Sequence, residues 1–348
     1  MKNITKIIVS LFVASVISLP LQAGELTVTG GATVTISKGA VDQSNGTNIG
    51  VSNELAFGAS GELDNGWKWN YSTELDGTST ATDDVQLTIA TPQGTIGFFS
   101  HEGGLRAEDI AVGAIGVGKD YASTMTWQEG YNVDGYGNIQ YHTPAGLLPL
   151  GGSVKIGYVP NMSNTAVLSA KEGSSTVTSQ ATGRDLTQIQ VSAAPYEGLT
   201  IKGDVAYTGG ATGTSGRNGT EQGVSGNLQA NYSTGAFKFG YAEGASQPAV
   251  ASGEIAYYEN KSWGVQFAVN ENLNVSYNYD ESAKNQRVAV AATATKGTKT
   301  ITTSEQDTWQ IAYTMGGMTV GYSMAEVSNA DYGTGVENVN ILSIAMSF

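Results

Sequence analysis

Trp67-Lys68-Trp69-Asn70-Tyr71-Ser72-Thr73-Glu74-Leu75 alternates apolar and polar side chains almost residue by residue. Successive side chains of an extended chain point to opposite faces, so Trp67, Trp69, Tyr71 and Leu75 share one face and Lys68, Asn70, Ser72 and Glu74 the other. The segment is a strand with a single apolar side. The same period recurs at 26–36, 55–63, 199–207, 237–241, 263–269, 273–279, 318–324 and 342–348, while helical periodicity is nearly absent. Asp64-Asn65-Gly66, Pro92-Gln93-Gly94, Ser233-Thr234-Gly235 and Gly316-Gly317 punctuate the runs as tight-turn sequences.

Extended along the chain, the pattern predicts sixteen strands: 25–38, 50–63, 67–77, 83–91, 94–100, 136–143, 152–159, 184–194, 199–208, 222–233, 236–243, 254–269, 273–281, 304–315, 318–327 and 336–348. Their connections alternate between short and long. Six of seven on one side are tight turns, with only 144–151 longer, whereas the other side carries loops such as 101–135, 160–183 and 282–303. An even number of strands with this asymmetry predicts an all-β fold, a transmembrane antiparallel barrel whose short turns face the periplasm. The polar faces carry Thr29, Thr33, Asn70, Gln188, Gln190, Asn227, Gln229, Asn231, Asn274, Ser276 and Asn278. Each amide or hydroxyl left unpaired in a dry core would cost about 1–3 kcal/mol. The interior is therefore expected to be wet, and a barrel of about 16 to 18 strands is wide enough to hold water.

Composition agrees. The 348 residues include no cysteine and two histidines, which excludes disulfides, thiolate metal sites and a cysteine nucleophile. Residues 1–23 read as a secretory signal peptide, with Lys2 and Lys6 before an apolar run that ends near Ala23, leaving 24–348 as a single barrel domain. Without the two lysines of that segment, 15 basic residues stand against 31 acidic ones, a net charge of -16 that disfavours nucleic acid as a partner. No later apolar run is long enough for a membrane-spanning helix.

The final stretch Val339-Asn340-Ile341-Leu342-Ser343-Ile344-Ala345-Met346-Ser347-Phe348 ends on an aromatic residue after alternating apolar positions, and the longest loop follows the fifth strand. In both respects the chain resembles the Gram-negative general porins, most of all the sixteen-stranded alphaproteobacterial sort. The resemblance covers 24–348. It implies a homotrimer in the outer membrane, passive diffusion of small hydrophilic solutes, a long loop folded into the pore as a constriction, and Phe348 as the signal read by the barrel-assembly machinery. The family's dense arginine cluster is missing, because the mature chain has only Arg106, Arg184, Arg217 and Arg287.

Lys68, Lys155, Lys202 and Lys238 have lumen-facing parity, each a few residues from a short turn. They are expected to form the basic half of the constriction. The acidic half is expected from the long loop, through Glu102, Glu108, Asp109, Asp120, Glu129 and Asp134. The competing expectation is that the lysines are ordinary wall residues, kept off the lipid face where a cation costs about 2–4 kcal/mol. Gly113-Ala114-Ile115-Gly116-Val117-Gly118-Lys119 has phosphate-loop spacing, but Asp120 follows where Ser or Thr would hold magnesium, so nucleotide binding is not expected. His101 and His142 fall at opposite ends of the barrel and cannot easily share a catalytic site.

No cofactor is expected. Acidic pairs at Asp83-Asp84, Glu108-Asp109 and Asp280-Glu281 are candidates for calcium or magnesium at the extracellular rim, and rim acids for cation bridges to lipopolysaccharide phosphates. Trp67, Trp69, Trp263 and Trp309 are expected in the aromatic belt against lipid or a neighbouring subunit. The leading function is thus a diffusion channel, weakly cation-selective or near neutral. A substrate-selective channel would show an aromatic ladder or a basic cluster, an outer-membrane enzyme a convergent Ser, His and acid set, and an adhesin fixed repeats; the sequence shows none of these.

Overall fold

A computed structural model of the chain describes residues 25–41, 44–76, 83–115, 130–160, 162, 185–209, 222–247, 255–287 and 299–348. The expected signal peptide, Asp120, Glu129, Arg184 and Arg217 lie outside these residues. The described strands are β1 (Glu25–Val41), β2 (Ser44–Glu62), β3 (Lys68–Asp76), β4 (Asp83–Thr91), β5 (Gly94–Ser100), β6 (Asn138–His142), β7 (Ser153–Val159) and β8 (Leu186–Tyr196). They continue with β9 (Leu199–Thr208), β10 (Val224–Thr234), β11 (Phe237–Gln247), β12 (Ile255–Ala268), β13 (Leu273–Arg287), β14 (Lys299–Met315), β15 (Met318–Ser328) and β16 (Val336–Ser347). Each pairs antiparallel with its neighbours in sequence, and β16 returns to β1, so the sheet has no free edge.

The closing seam is completed by the last residue. Gly30 N–H donates to the Phe348 carbonyl and Phe348 N–H to the Gly30 carbonyl, both at 2.9 Å. A Cβ on Gly30 would stand 2.7 Å from the Glu54 carbonyl oxygen and 2.9 Å from the Phe348 ring, so only glycine lets the terminal ring lie there.

Two strand pairs run further than the sequence suggests. β1 and β2 pair as far as Val41 opposite Ser44, and β13 and β14 as far as Arg287 opposite Lys299. Much of the expected 282–303 loop is therefore strand. Backbone pairing does not require apolar alternation, and the polar upper ends hide it. One consequence is a correction: Asp280 and Glu281 sit within β13 and, as consecutive strand residues, face opposite sides. Asp280 is buried and accepts a hydrogen bond from Ser262, so this pair is not a joint metal ligand.

The barrel reverses the distribution of a soluble protein. Leu228, Phe239, Tyr241, Trp263, Trp309, Ile311 and Met324 are exposed on the outer face, Trp309 by 58%, whereas Gln188, Gln306 and Asn278 are buried inside. On the outer face the apolar band stops at a line of facing charges: Glu243 opposite Lys261, Lys261 opposite Glu281, and Glu281 opposite Glu305. Such a boundary marks where a lipid-facing surface ends.

Candidate functional site: the pore and its inner loop

Between β5 and β6, residues 103–115 run along the inner wall of the barrel. The wall holds their backbone at one strand after another. Gln190 Nε2 on β8 donates to the Leu105 carbonyl at 2.8 Å, and Ala107 N–H donates to Asp204 Oδ1 on β9 at 2.7 Å. Ala111 N–H donates to Asn231 Oδ1 on β10 at 2.8 Å, and Gly113 N–H to Gln266 Oε1 on β12 at 3.3 Å. Ala114 N–H donates to Ser276 Oγ on β13 at 2.8 Å, and Ile115 N–H to Gln310 Oε1 on β14 at 3.0 Å. Without a partner strand these amides would otherwise need water, so polar wall residues substitute for a sheet neighbour.

Burial alternates over 104–107 and again over 108–112, with a change of phase where Ala107 and Glu108 are both buried. Leu105, Ala107, Ile110 and Val112 are buried against the wall, and Asp109 and Ala111 are exposed to the lumen. Glycines on the inner face make the seats. A Cβ at Gly157 would meet Leu105 and Val133 at 3.0 Å, one at Gly240 would meet Ile110 at 2.7 Å, and one at Gly321 would meet Ile115 at 2.7 Å. The returning limb binds the same way, with Val133 N–H donating to Gln188 Oε1 at 3.1 Å and Tyr131 N–H to Ser225 Oγ at 2.8 Å. Burial pushes the Tyr136 phenol above its usual range, with Tyr131 and Asp134 adding to the shift.

Inside a closed barrel, with polar residues inward and apolar residues outward, this laid-in loop settles the architecture. The fold is that of an outer-membrane porin. The anion-selective porin of Comamonas acidovorans superposes with a TM-score of 0.60 and 14% identity, covering 93% of this chain and 100% of that one. The outer membrane channel DcaP of Acinetobacter baumannii matches at 0.60 and 12%, covering 93% and 97%. OmpF of Salmonella typhi, in complex with daunomycin, matches at 0.57 and 13%, covering 93% and 98%. No protein-family model and no curated protein sequence matches the chain.

The expected site residues divide within this porin fold. Lys155, Lys202 and Lys238 do face the lumen, but on β7, β9 and β11, the wall the loop lies against. They stand beneath the described part of the loop and not across the channel from it. Lys68 faces the lumen on β3, directly opposite Glu62 on β2. Glu102 opens the loop, and its carboxylate accepts from Gly103 N–H at 2.6 Å. Glu108 is turned to the wall, 2% exposed, and pairs with Arg106 at 3.0 Å, so its charge is spent inside the loop. Asp134 Oδ2 accepts from Asn132 Nδ2 at 2.6 Å.

Asp204 is the wall residue that sequence reasoning missed. It accepts from Ala107 N–H, from Asn227 Nδ2 at 2.9 Å and from Gln188 Nε2 at 3.0 Å. Its parity, two residues from Lys202, was a usable signal. The amides at 188, 190, 231 and 278 were legible as lumen residues, yet part of that lining is loop anchor and not free wet surface. Of the phosphate-loop spacing at 113–119, only Gly113, Ala114 and Ile115 lie within the described residues, and their N–H groups are taken by the wall. His142 Nε2 lies 2.8 Å from Gln140 Oε1 near the short-turn end, far along the barrel from His101. Among the described residues no group of three or more His, Asp or Glu is placed to hold a metal ion.

Between Ala114 and Ile115 of the loop and the wall of β1, β2 and β14–β16 lies an open cleft of about 720 Å³. Thr33, Thr35, Ser37, Ser52, Thr314, Thr319 and Ser343 supply hydroxyls, and Ile341 and Ala345 lie among them. None of the lining residues is charged.

Proposed function

We propose that the protein is an outer-membrane porin of the general, sixteen-stranded sort that its sequence resembles in alphaproteobacteria. It forms a water-filled channel for passive diffusion of small hydrophilic solutes and ions and works as a homotrimer. The observation that carries this reading is the loop at 103–115, bound by its backbone to the polar inner wall of a barrel whose outer face is apolar. Such a loop narrows the lumen without filling it. Solutes pass beside it, along the uncharged hydroxyl wall. Among the described residues the cleft beside the loop offers hydroxyls and no charged side chain, which supports weak cation preference or near neutrality, because charged groups lining a pore tune its selectivity.

The test is single-channel conductance of the folded protein in a planar bilayer, with reversal potentials measured under a KCl gradient. Discrete conducting steps with a small reversal potential are expected. Absence of channels would remove the whole reading, and strong anion selectivity would remove its selectivity part. Lys202→Glu is expected to move the reversal potential toward cations; no movement would demote Lys202 to an ordinary wall residue.

Phe348 is read as the assembly signal, and the outward acids above the apolar band as bridging to lipopolysaccharide phosphates through calcium or magnesium. Function restored in chelator-treated protein without added metal would count against the bridges.

A further inference from the structure

Each residue of the wall that touches the loop has a neighbour two positions nearer the short-turn end, on the same face and about 7 Å lower along the strand. On β6–β11 the contacts are Gln140, Gly157, Gln190, Asp204, Asn231 and Gly240. The residues one step below them are His142, Lys155, Ser192, Lys202, Ser233 and Lys238. Lysines on alternate strands therefore form a strip parallel to the loop and just beneath it.

The register sharpens the pattern. Lys155 lies directly opposite His142, Lys202 opposite Ser192, and Lys238 opposite Ser233. Every ammonium is thus paired across the sheet with a group able to donate a hydrogen bond, and none with a carboxylate. No Asp or Glu occurs on these six strands between the loop contacts and the short-turn end. Lys155 and Lys202 flank β8 on the same face, Lys155 opposite Gln190 and Lys202 opposite Ser192. Lys238 is exposed to the lumen and extends the strip toward the mouth.

We propose that this strip binds multivalent phosphoryl anions entering from the short-turn side. Lysines act as point charges toward phosphate oxygens, and neighbouring hydroxyls complete the shell. The proposal rests on the diffusion-channel reading, since the strip lines the same lumen, but it adds a binding step and a direction. Anions arriving from the opposite side meet the loop and the uncharged cleft first.

The probe is inorganic tripolyphosphate, applied to channels conducting KCl in a planar bilayer. A single cysteine placed at Asn65, in a chain that has none, marks the short-turn side by its accessibility to a thiol reagent. Tripolyphosphate should block from that side at a concentration at least tenfold lower than from the other, and raised salt should weaken the block. The double substitution Lys155→Gln and Lys202→Gln should raise the half-blocking concentration at least tenfold, whereas Lys261→Gln, on the outer face, should leave it unchanged. Heat-modifiable gel mobility confirms that each variant is folded. If the double variant fails to fold, Lys238→Gln replaces it, with a severalfold rise expected. Channels that conduct KCl but are blocked equally from both sides, or not at all, overturn the proposal and leave the channel reading intact, as does a folded substituted channel blocked like the parent. A folded protein that conducts nothing overturns both.

Discussion

Asp204 receives three donors at once, one from the loop backbone and two from wall amides. Its removal leaves those donors buried, a loss on the order of 1–3 kcal/mol. Asp204→Ala should therefore raise the exchange rate of the Ala107 amide by about ten- to hundredfold in hydrogen-exchange mass spectrometry. Amides of the β12–β14 wall should stay protected. Gly240 is needed for shape, since Ile110 occupies the place of its missing side chain. Gly240→Val should lift the loop from its seat, seen as lost exchange protection over 107–115 and greater open-channel current noise. Protection retained in both variants would mean that the wall does not hold the loop. Neither residue announces itself in sequence: a glycine on a polar strand face reads as weak strand, and its reason appears only when Ile110 arrives from more than a hundred positions away.

Strands of this barrel are two-sided elements, and the consequences of a substitution depend on the side. Phe239 is exposed on the outer face beside Tyr241, within the apolar band. Placing arginine there puts a charge into hydrocarbon at a cost of about 2–4 kcal/mol near the bilayer middle. Phe239→Arg should lower the urea midpoint of the folded barrel in lipid by a corresponding amount, whereas Asn70→Arg, exposed to the lumen on β3, should change it little. Similar losses at both positions would contradict the inside–outside assignment. Alternation made these faces legible without coordinates, because a strand's period of two sends neighbours to opposite sides whatever the fold. Strand ends were less legible. The upper parts of β13 and β14 are polar on both faces, and their pairing rests on backbone hydrogen bonds that leave no pattern in side-chain type.

Closure is a property of the whole molecule, and Phe348 lies at its seam. Its backbone completes the pairing with Gly30, while the residue as a whole is 75% exposed and so contributes little burial. Phe348→Ala should refold in detergent with stability within about 1 kcal/mol of the parent, because little apolar area is lost. Its yield in the outer membrane of producing cells should fall severalfold if the residue is an assembly signal; an unchanged yield would refute that role. At the same scale the acidic net charge finds a place. On the outer face, Glu243, Glu281 and Glu305 gather above the apolar band, whereas the hydroxyl cleft beside the loop is neutral. The amino-acid sequence by itself determined the strands, their two faces, their even number and the short and long ends, since each follows from local periodicity and turn chemistry. Only the tertiary structure decided what the lumen charges face. The curvature of a closed barrel laid the loop along the wall of β7–β15, buried Glu108 against Arg106 and gathered three lysines beneath the loop, because distances across a lumen depend on closure and not on spacing along the chain.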